Sequence, residues 1–415
     1  MSDWPKKRLR FLLNKAILAA GRRLMEEAGD VTFLPMEAIG EQGELDTSRV
    51  INFDEASAGY TLFFDGDVVV AKITPCFENG KGALINSTAT GMGLGTTELY
   101  VLRPGASLDG KFLYYITVDP AFRILGETQM IGAAGQKRVP EDFLRNYIVA
   151  VPPISEQRQV SRYLDTEIGI IDTLISTKVA WLDLLAEKRR AIVAEAVMRG
   201  LNPAAPMRPT GIDWLGDIPA HWEIERSRWL FTERDQRSET GEEEMLTVSH
   251  LTGVTPRSEK DVNMFEAEST AGYKLCFAGD LAINTLWAWM GAMGTARVDG
   301  IVSPAYNVYT PGTRLLPDYV DALVRIPVFA QEVTRYSKGV WSSRLRLYPE
   351  GFFETWWPVP PLVEQHEIVR HIASETAKID RLRAATEHSI TLLKERRGAL
   401  IAAAVTGQID ISEAA

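Results

Sequence analysis

VPPISEQRQV at residues 151–160 returns 208 positions later as VPPLVEQHEI at 359–368. The correspondence runs without a gap for about 47 positions. Val151, Pro152, Pro153, Glu156 and Gln157 reappear as Val359, Pro360, Pro361, Glu364 and Gln365. Ile171-Asp172 reappears as Ile379-Asp380, and LLAEKRRAIVAEAV at 184–197 as LLKERRGALIAAAV at 392–405. Two prolines forbid helix before them and favour extended chain. The acidic and amide residues that follow suit the positive end of a helix. From there to Pro203 no proline occurs. Apolar residues then recur in a 4,3 pattern at Leu164, Ile168, Ile171, Ile175, Leu182, Leu185, Ile192 and Ala196, interrupted at Lys178 and Arg189. That period predicts a coiled-coil helix over 155–198, roughly 66 Å long, ended by Gly200 and Pro203. The second copy offers Ile372, Ile379, Ile390, Leu393, Leu400 and Ala404 before Gly407, with a more polar seam at Thr376, Arg383 and Thr386. Neither stripe can be hidden by its own helix. Short linkers favour an antiparallel pairing of the two, which predicts a rod with a globular domain at each end, related by a pseudo-twofold axis.

The regions before each helix repeat more loosely. Trp4, Arg8, Arg10, Phe11 and Leu12 echo Trp222, Arg226, Arg228, Trp229 and Leu230. FDGDVV at 64–69 echoes FAGDLA at 277–282, and ELYVLRP at 98–104 echoes AYNVYTP at 305–311. The chain divides into variable block 1–150, helical block 151–203, variable block 204–358 and helical block 359–415. Two copies are too few for a solenoid. Strand-like runs (67–74, 99–102, 147–151) and helix-like segments (110–125, 317–336) predict an α+β fold for each variable block.

The composition is that of a globular protein: 415 residues, 46% hydrophobic and 24% charged. No stretch approaches the ~18 uncharged apolar residues of a membrane span, and no signal peptide is expected. Cys76 and Cys276 form neither a disulfide framework nor a zinc knuckle, so a reducing compartment, the cytoplasm, is expected. The net charge is −10, and no block is strongly basic. Nucleic-acid binding would therefore need a local patch or a partner's surface.

Two loops in each variable block carry such chemistry. One follows the FxGD turn, with Lys72, Thr74, Asn79 and Lys81 in the first copy and Asn284 and Arg297 in the second. The other precedes the last strand: GAAGQKRVP at 132–140 with Gln136, Lys137 and Arg138, and GVWSSRLRLYP at 339–349 with Ser342, Ser343, Arg344 and Arg346. Arginine, lysine, glutamine and asparagine read base edges and phosphates. Trp287, Trp289, Trp356 and Trp357 read as core or strand residues, and GMGLG at 91–95 as a flexible turn. No phosphate-binding loop, metal-ligand spacing or nucleophile–base set is recognisable, and Asp119-Pro120 reads as a turn within a helical region.

The duplicated PPxxEQ opening, the closing EKRR and ERR segments, and IDWLGDIPAHWEI at 212–224 together resemble the specificity subunits of type I restriction–modification systems over essentially the whole chain. That resemblance implies two α+β target recognition domains, each reading one half of a split, asymmetric site in double-stranded DNA. It implies that the long helices form an antiparallel coiled coil that spaces the domains and docks two modification subunits. Glu156, Gln157, Ile168, Ile171, Leu185, Glu364, Gln365, Ile379 and Leu393 are the residues expected to serve that docking and pairing. It further implies that the chain itself is non-catalytic and carries no cofactor. S-adenosylmethionine would belong to the modification subunits, and ATP with Mg to restriction subunits, two where present. The competing readings are a self-contained enzyme with diverged motifs and a coiled-coil scaffold with two ligand-binding heads.

Overall fold

A computed structural model describes residues 4–15, 18–56, 59–86, 88–133, 135–260, 269–339 and 345–409. The chain forms two compact units. One comprises 1–179 with 387–415, and the other comprises 180–386. Each unit thus contains a globular α+β portion together with part of both long helices. Among the described residues, no helix is long and apolar enough to cross a membrane.

The long helices span Ile154–Arg199 and Leu362–Val405. Gly200 and Gly407 follow them with φ of +74° and +73°, the left-handed conformation that ends a helix without a Cβ clash. In the first unit Val160, Leu164 and Ile168 share a core with Ile401, Ala404 and Val405. Arg397 Nε donates to Asp172 Oδ1 at 3.0 Å in the same unit. In the second unit Ala196 and Val197 share a core with Ile368, and Arg189 lies 3.6 Å from Asp380. In both units one helix rises in number as the other falls, so the pairing is antiparallel. Ile168, Ile171, Leu185 and Ile379 are buried and Leu393 is half-buried, as the 4,3 pattern predicts.

The globular portions share a frame. In the first, strand Val68–Ala71 lies between Gly82–Leu84 and Leu99–Leu102, all antiparallel. In the second, Leu281–Asn284 lies between Met293–Thr295 and Tyr306–Pro311 in the same sense. The helix-like segments are each split by a proline. They form Gly110–Val118 and Pro120–Thr128 in one unit, and Pro317–Val324 and Pro327–Tyr336 in the other. Asp119 caps the second of these helices by accepting from the Ala121 amide at 3.3 Å. The first unit adds a four-stranded sheet with helix Leu18–Ala28. Met92–Gly95 is a strand of that sheet, not the flexible turn its glycines suggested. A Cβ on Gly93 would meet the Thr32 carbonyl and the Phe63 ring at 2.4 Å, so the glycine serves close packing.

The PPxxEQ motif acts within its own unit. Gln157 is fully buried. Its Oε1 accepts from the Asp109 amide (2.8 Å), and its Nε2 donates to the carbonyls of Ser107 (2.9 Å) and Pro152 (2.8 Å). Gln365 repeats this with the Leu316 amide (2.8 Å) and the carbonyls of Arg314 and Pro360 (2.9 Å each). Glu156 accepts from Trp4 Nε1 at 3.1 Å, and Glu364 accepts from Trp222 Nε1 at 3.0 Å. The two glutamines thus fasten the start of each long helix to the loop before a domain helix, and the two half-buried glutamates tie it to a tryptophan of the same unit.

The FxGD turns are equally alike. Gly66 and Gly279 both have φ of +94°. Asp67 and Asp280 are buried and accept from the amides of Phe64 and Phe277 at 2.9 Å. Arg103 forks onto Asp67 at 2.8 and 2.6 Å. Asp280 receives Arg234 at 2.7 and 3.3 Å, from a different strand, while Thr310 occupies the position equivalent to Arg103.

Replacing Gln157 with alanine leaves a buried amide and two carbonyls unpaired, at a cost of about 1–3 kcal/mol for each group left unsatisfied. Hydrogen exchange should then quicken around Ser107–Asp109 with Gln157→Ala, and around Arg314–Leu316 with Gln365→Ala. Unchanged protection in both variants would refute the fastening role.

Candidate nucleic-acid interface

The two loops singled out in each block are neighbours. In the first unit, Ile131 and Arg138 exchange both backbone hydrogen bonds at 2.9 Å. The Thr74 amide donates to the Lys137 carbonyl, and the Val139 amide to the Lys72 carbonyl, both at 2.9 Å. Residues 137–139 are thereby bound to the loop that leaves strand Val68–Ala71. In the second unit, Lys338 and Arg346 exchange both hydrogen bonds at 2.9 Å, and the Leu347 amide donates to Thr285 O at 3.1 Å. Ser342, Ser343 and Arg344 lie outside the described residues.

The side chains divide into free and committed. Asn79, Gln136 and Lys137 are exposed, and their side chains have no hydrogen-bond partner among the described residues. Arg138 forks onto Glu98 at 2.9 and 2.7 Å, and that guanidinium holds the Glu98 carboxyl below the usual range. Lys72 lies 5.2 Å from the centre of the Tyr100 ring. Thr74 Oγ1 donates to Glu78 Oε1 at 2.9 Å. Lys81 Nζ donates to the Met36 carbonyl at 3.0 Å.

Asn284 is buried, donates to the Tyr306 hydroxyl at 3.0 Å, and accepts from the Leu286 amide at 3.3 Å. Arg297 and Arg346 are exposed. Trp287 and Trp289 are not core residues. They lie on the turn at 287–290 with rings nearly parallel and 6.4 Å apart, and Trp287 is 50% exposed. The buried Ala288 between them fills the interior position instead. Trp356 and Trp357 lie on strand Trp356–Val359, as expected.

Arg123 escaped the sequence reading. It reaches in from helix Pro120–Thr128 and donates to the carbonyls of Phe77 (3.0 Å) and Gly80 (3.1 Å). Burial lowers its guanidinium to about 10, so it stays charged at neutral pH. No motif announces it, because its partners are backbone carbonyls more than forty residues away. Among the described residues, no group of three or more His, Cys, Asp and Glu side chains is placed to hold a metal ion.

Arg123→Ala removes both clamps on the loop, a loss of about 1–3 kcal/mol of local protection. The Asn79, Gly80 and Lys81 amides, which bond within the loop, should exchange faster, while strand Val68–Ala71 stays protected. Equal rates in wild type and variant would show that the loop holds itself.

No family model matches the chain. Over 160 residues it is 36% identical to the EcoEI specificity subunit of a type I restriction enzyme from Escherichia coli, and over 162 residues equally so to the EcoAI specificity subunit. These matches cover 38% of this chain and 27% of each relative's length. The fold is that of a chain from a structure of type I R-M system assembly and conformational transition, with a TM-score of 0.75 at 17% identity over 98% of both chains. It is also similar to the HsdS subunit from Thermoanaerobacter tengcongensis, with a TM-score of 0.58 at 16% identity over 99% of this chain and 98% of that one.

Proposed function

We propose that this chain is the sequence-reading subunit of a type I restriction–modification assembly, non-catalytic by itself. The observation that carries this is the paired loops, built on one frame in both units yet furnished with different side chains. Such an arrangement suits two domains, 1–150 and 204–358, that each read a different half of a split site in double-stranded DNA. Asn79, Gln136, Lys137 and Arg138 supply amide and cationic donors for one half, and Arg346, Arg344, Ser342 and Ser343 for the other. The similarity to two specificity subunits supports the same reading.

The long helices keep apolar side chains in solvent beside the buried seam. Ile170 and Leu174 are exposed in the first unit, and Trp181, Leu184 and Leu382 in the second. Exposed apolar surface of this kind suits protein partners. Two modification subunits carrying S-adenosylmethionine would dock there, with restriction subunits using ATP and Mg in the full assembly. Those partners would also supply phosphate contacts that a chain of net charge −10 lacks.

Methylation mapping of a methylation-free host tests the reading. Expressing the chain with its modification subunit should produce a split, asymmetric adenine motif, absent with either protein alone. No new methylation, together with no DNA binding by the complex, would favour the scaffold instead. Replacing Lys137 and Arg138 with alanine should relax one half of the motif, at about 1–3 kcal/mol per lost base contact. Replacing Arg344 and Arg346 should relax the other half. Uniform weakening on all sequences would assign these residues to phosphates.

A charge at Ile171 or Ile379, both buried in the helix seam, should prevent assembly before it alters base preference. Normal complex formation by Ile171→Asp and Ile379→Asp would remove the coiled coil from the account.

A further inference from the structure

The buried glutamines set the register between the two units, and the register exposes a difference. Asp109 and Leu316, whose amides they bind, precede equivalent helices, and Pro120 and Pro327 open the next helix in each unit. Tyr114 and Tyr115 therefore correspond to Asp321 and Ala322. In the first unit both tyrosine rings are buried, with centres 5.4 Å apart, in a core shared with Ile401 and Ala404. The Tyr115 hydroxyl donates to Asp165 Oδ1 at 2.6 Å. Gly398 lies so near Pro120 that a Cβ would meet the proline ring at 3.0 Å. Side chains of the unit itself close this space.

In the second unit the same space is open. Asp321 and Ala322 replace the rings, Ala373 replaces Asp165, and Arg190 stands where Gly398 does. A cavity of about 820 Å³ lies there, within the range of about 300–1,000 Å³ usual for small-molecule sites. Val193, Ile326, Pro327, Val369 and Ile372 give it apolar walls. Four guanidiniums line it, from Arg189, Arg190, Arg297 and Arg325, against the carboxylates of Asp318, Asp321 and Asp380. Arg189 lies 3.6 Å from Asp380. Arg325 lies 3.7 Å from Asp321, and its Nη2 donates to Leu251 O at 2.7 Å. Arg190 and Arg297 have no hydrogen-bond or ion-pair partner among the described residues.

We infer that this cavity binds a small organic phosphate, a phosphate group joined to a flat apolar body. Two uncommitted guanidiniums suit a dianion with several acceptor oxygens, because each can fork onto it. The apolar walls suit the body, and its size follows from the first unit, where the equivalent space holds two aromatic rings. The cavity lies apart from the recognition loops. Leu281 pairs with Thr295, so Arg297 follows the end of that strand pair opposite the turn at 287–290. Occupancy therefore does not depend on what the loops read, and it belongs to the second unit alone.

Calorimetric titration of the full chain with naphthyl phosphate tests the site. Wild type should take up one equivalent with a Kd below about 1 mM, and inorganic phosphate and naphthol should each bind about tenfold more weakly or worse. Arg190→Ala and Arg297→Ala should each weaken naphthyl phosphate about tenfold. Ala322→Tyr, which fills the space as the first unit does, should abolish the uptake without lowering the melting temperature. If that variant unfolds, the two arginine variants decide. No binding by wild type at millimolar probe would overturn the inference, as would wild-type affinity in both arginine variants. So would a random DNA duplex that displaces the probe and itself loses affinity in the arginine variants, which would make these arginines contacts to a DNA backbone.

Discussion

A buried side-chain amide at the first turn of each long helix holds the architecture together. Gln157 and Gln365 each accept from one backbone amide and donate to two carbonyls inside their unit. Glutamine is suited to this place because it offers a donor and an acceptor at the end of a flexible stem. The bonds fix the start of the helix against the loop that begins a domain helix. The joint also lies beside the strand that leads into each helix, Ile148–Ala150 in one unit and Trp356–Val359 in the other. A charged or shorter residue would leave three backbone groups stranded in an apolar interior, which is why the two copies agree here more closely than in their loops.

The FxGD turns show how far a duplicated unit can drift while meeting one physical demand. A buried aspartate needs a positive partner and hydrogen bonds. Asp67 finds its arginine on the strand at Leu99–Leu102, one residue past its end, and Asp280 finds its own on Phe231–Arg234. Both guanidiniums lie 4.7 Å from the phenylalanine ring of the turn. The place of the charge is kept while its source in the chain has changed. Turn and cation together hold the strand from which the loop carrying Lys72 and Asn79 departs.

Local signals were legible in the sequence and tertiary ones were not. The proline pair, the 4,3 apolar spacing and the terminal glycines are properties of short windows, and they located both long helices to within a few residues. The strand at Leu99–Leu102 was legible for the same reason. The chemistry of Lys81 and Asn284 was legible, but not the partners that folding brings them from elsewhere, Met36 O and the Tyr306 hydroxyl. Trp287 was misjudged in the opposite direction, since hydrophobicity alone does not reveal that Ala288 takes the interior position. The glutamates and glutamines of the repeated motif were visible as important, but their inward direction was not. The division into two units was hidden as well, because it cuts both helices rather than falling between segments.

That division has a consequence for the order in which the protein is made. The unit formed by 180–386 is continuous in the chain, so every residue it needs has been made once residue 386 is added. The other unit buries Ile401, Ala404 and Val405 against residues that emerged hundreds of positions earlier. Until that segment is made, the core holding Leu164 and Ile168 lacks the share of its packing that Ile401, Ala404 and Val405 supply. Closing so long a loop is slow, and an exposed apolar stripe invites aggregation meanwhile. The portion at 1–179 thus depends for its core on a segment more than 200 residues further along the chain.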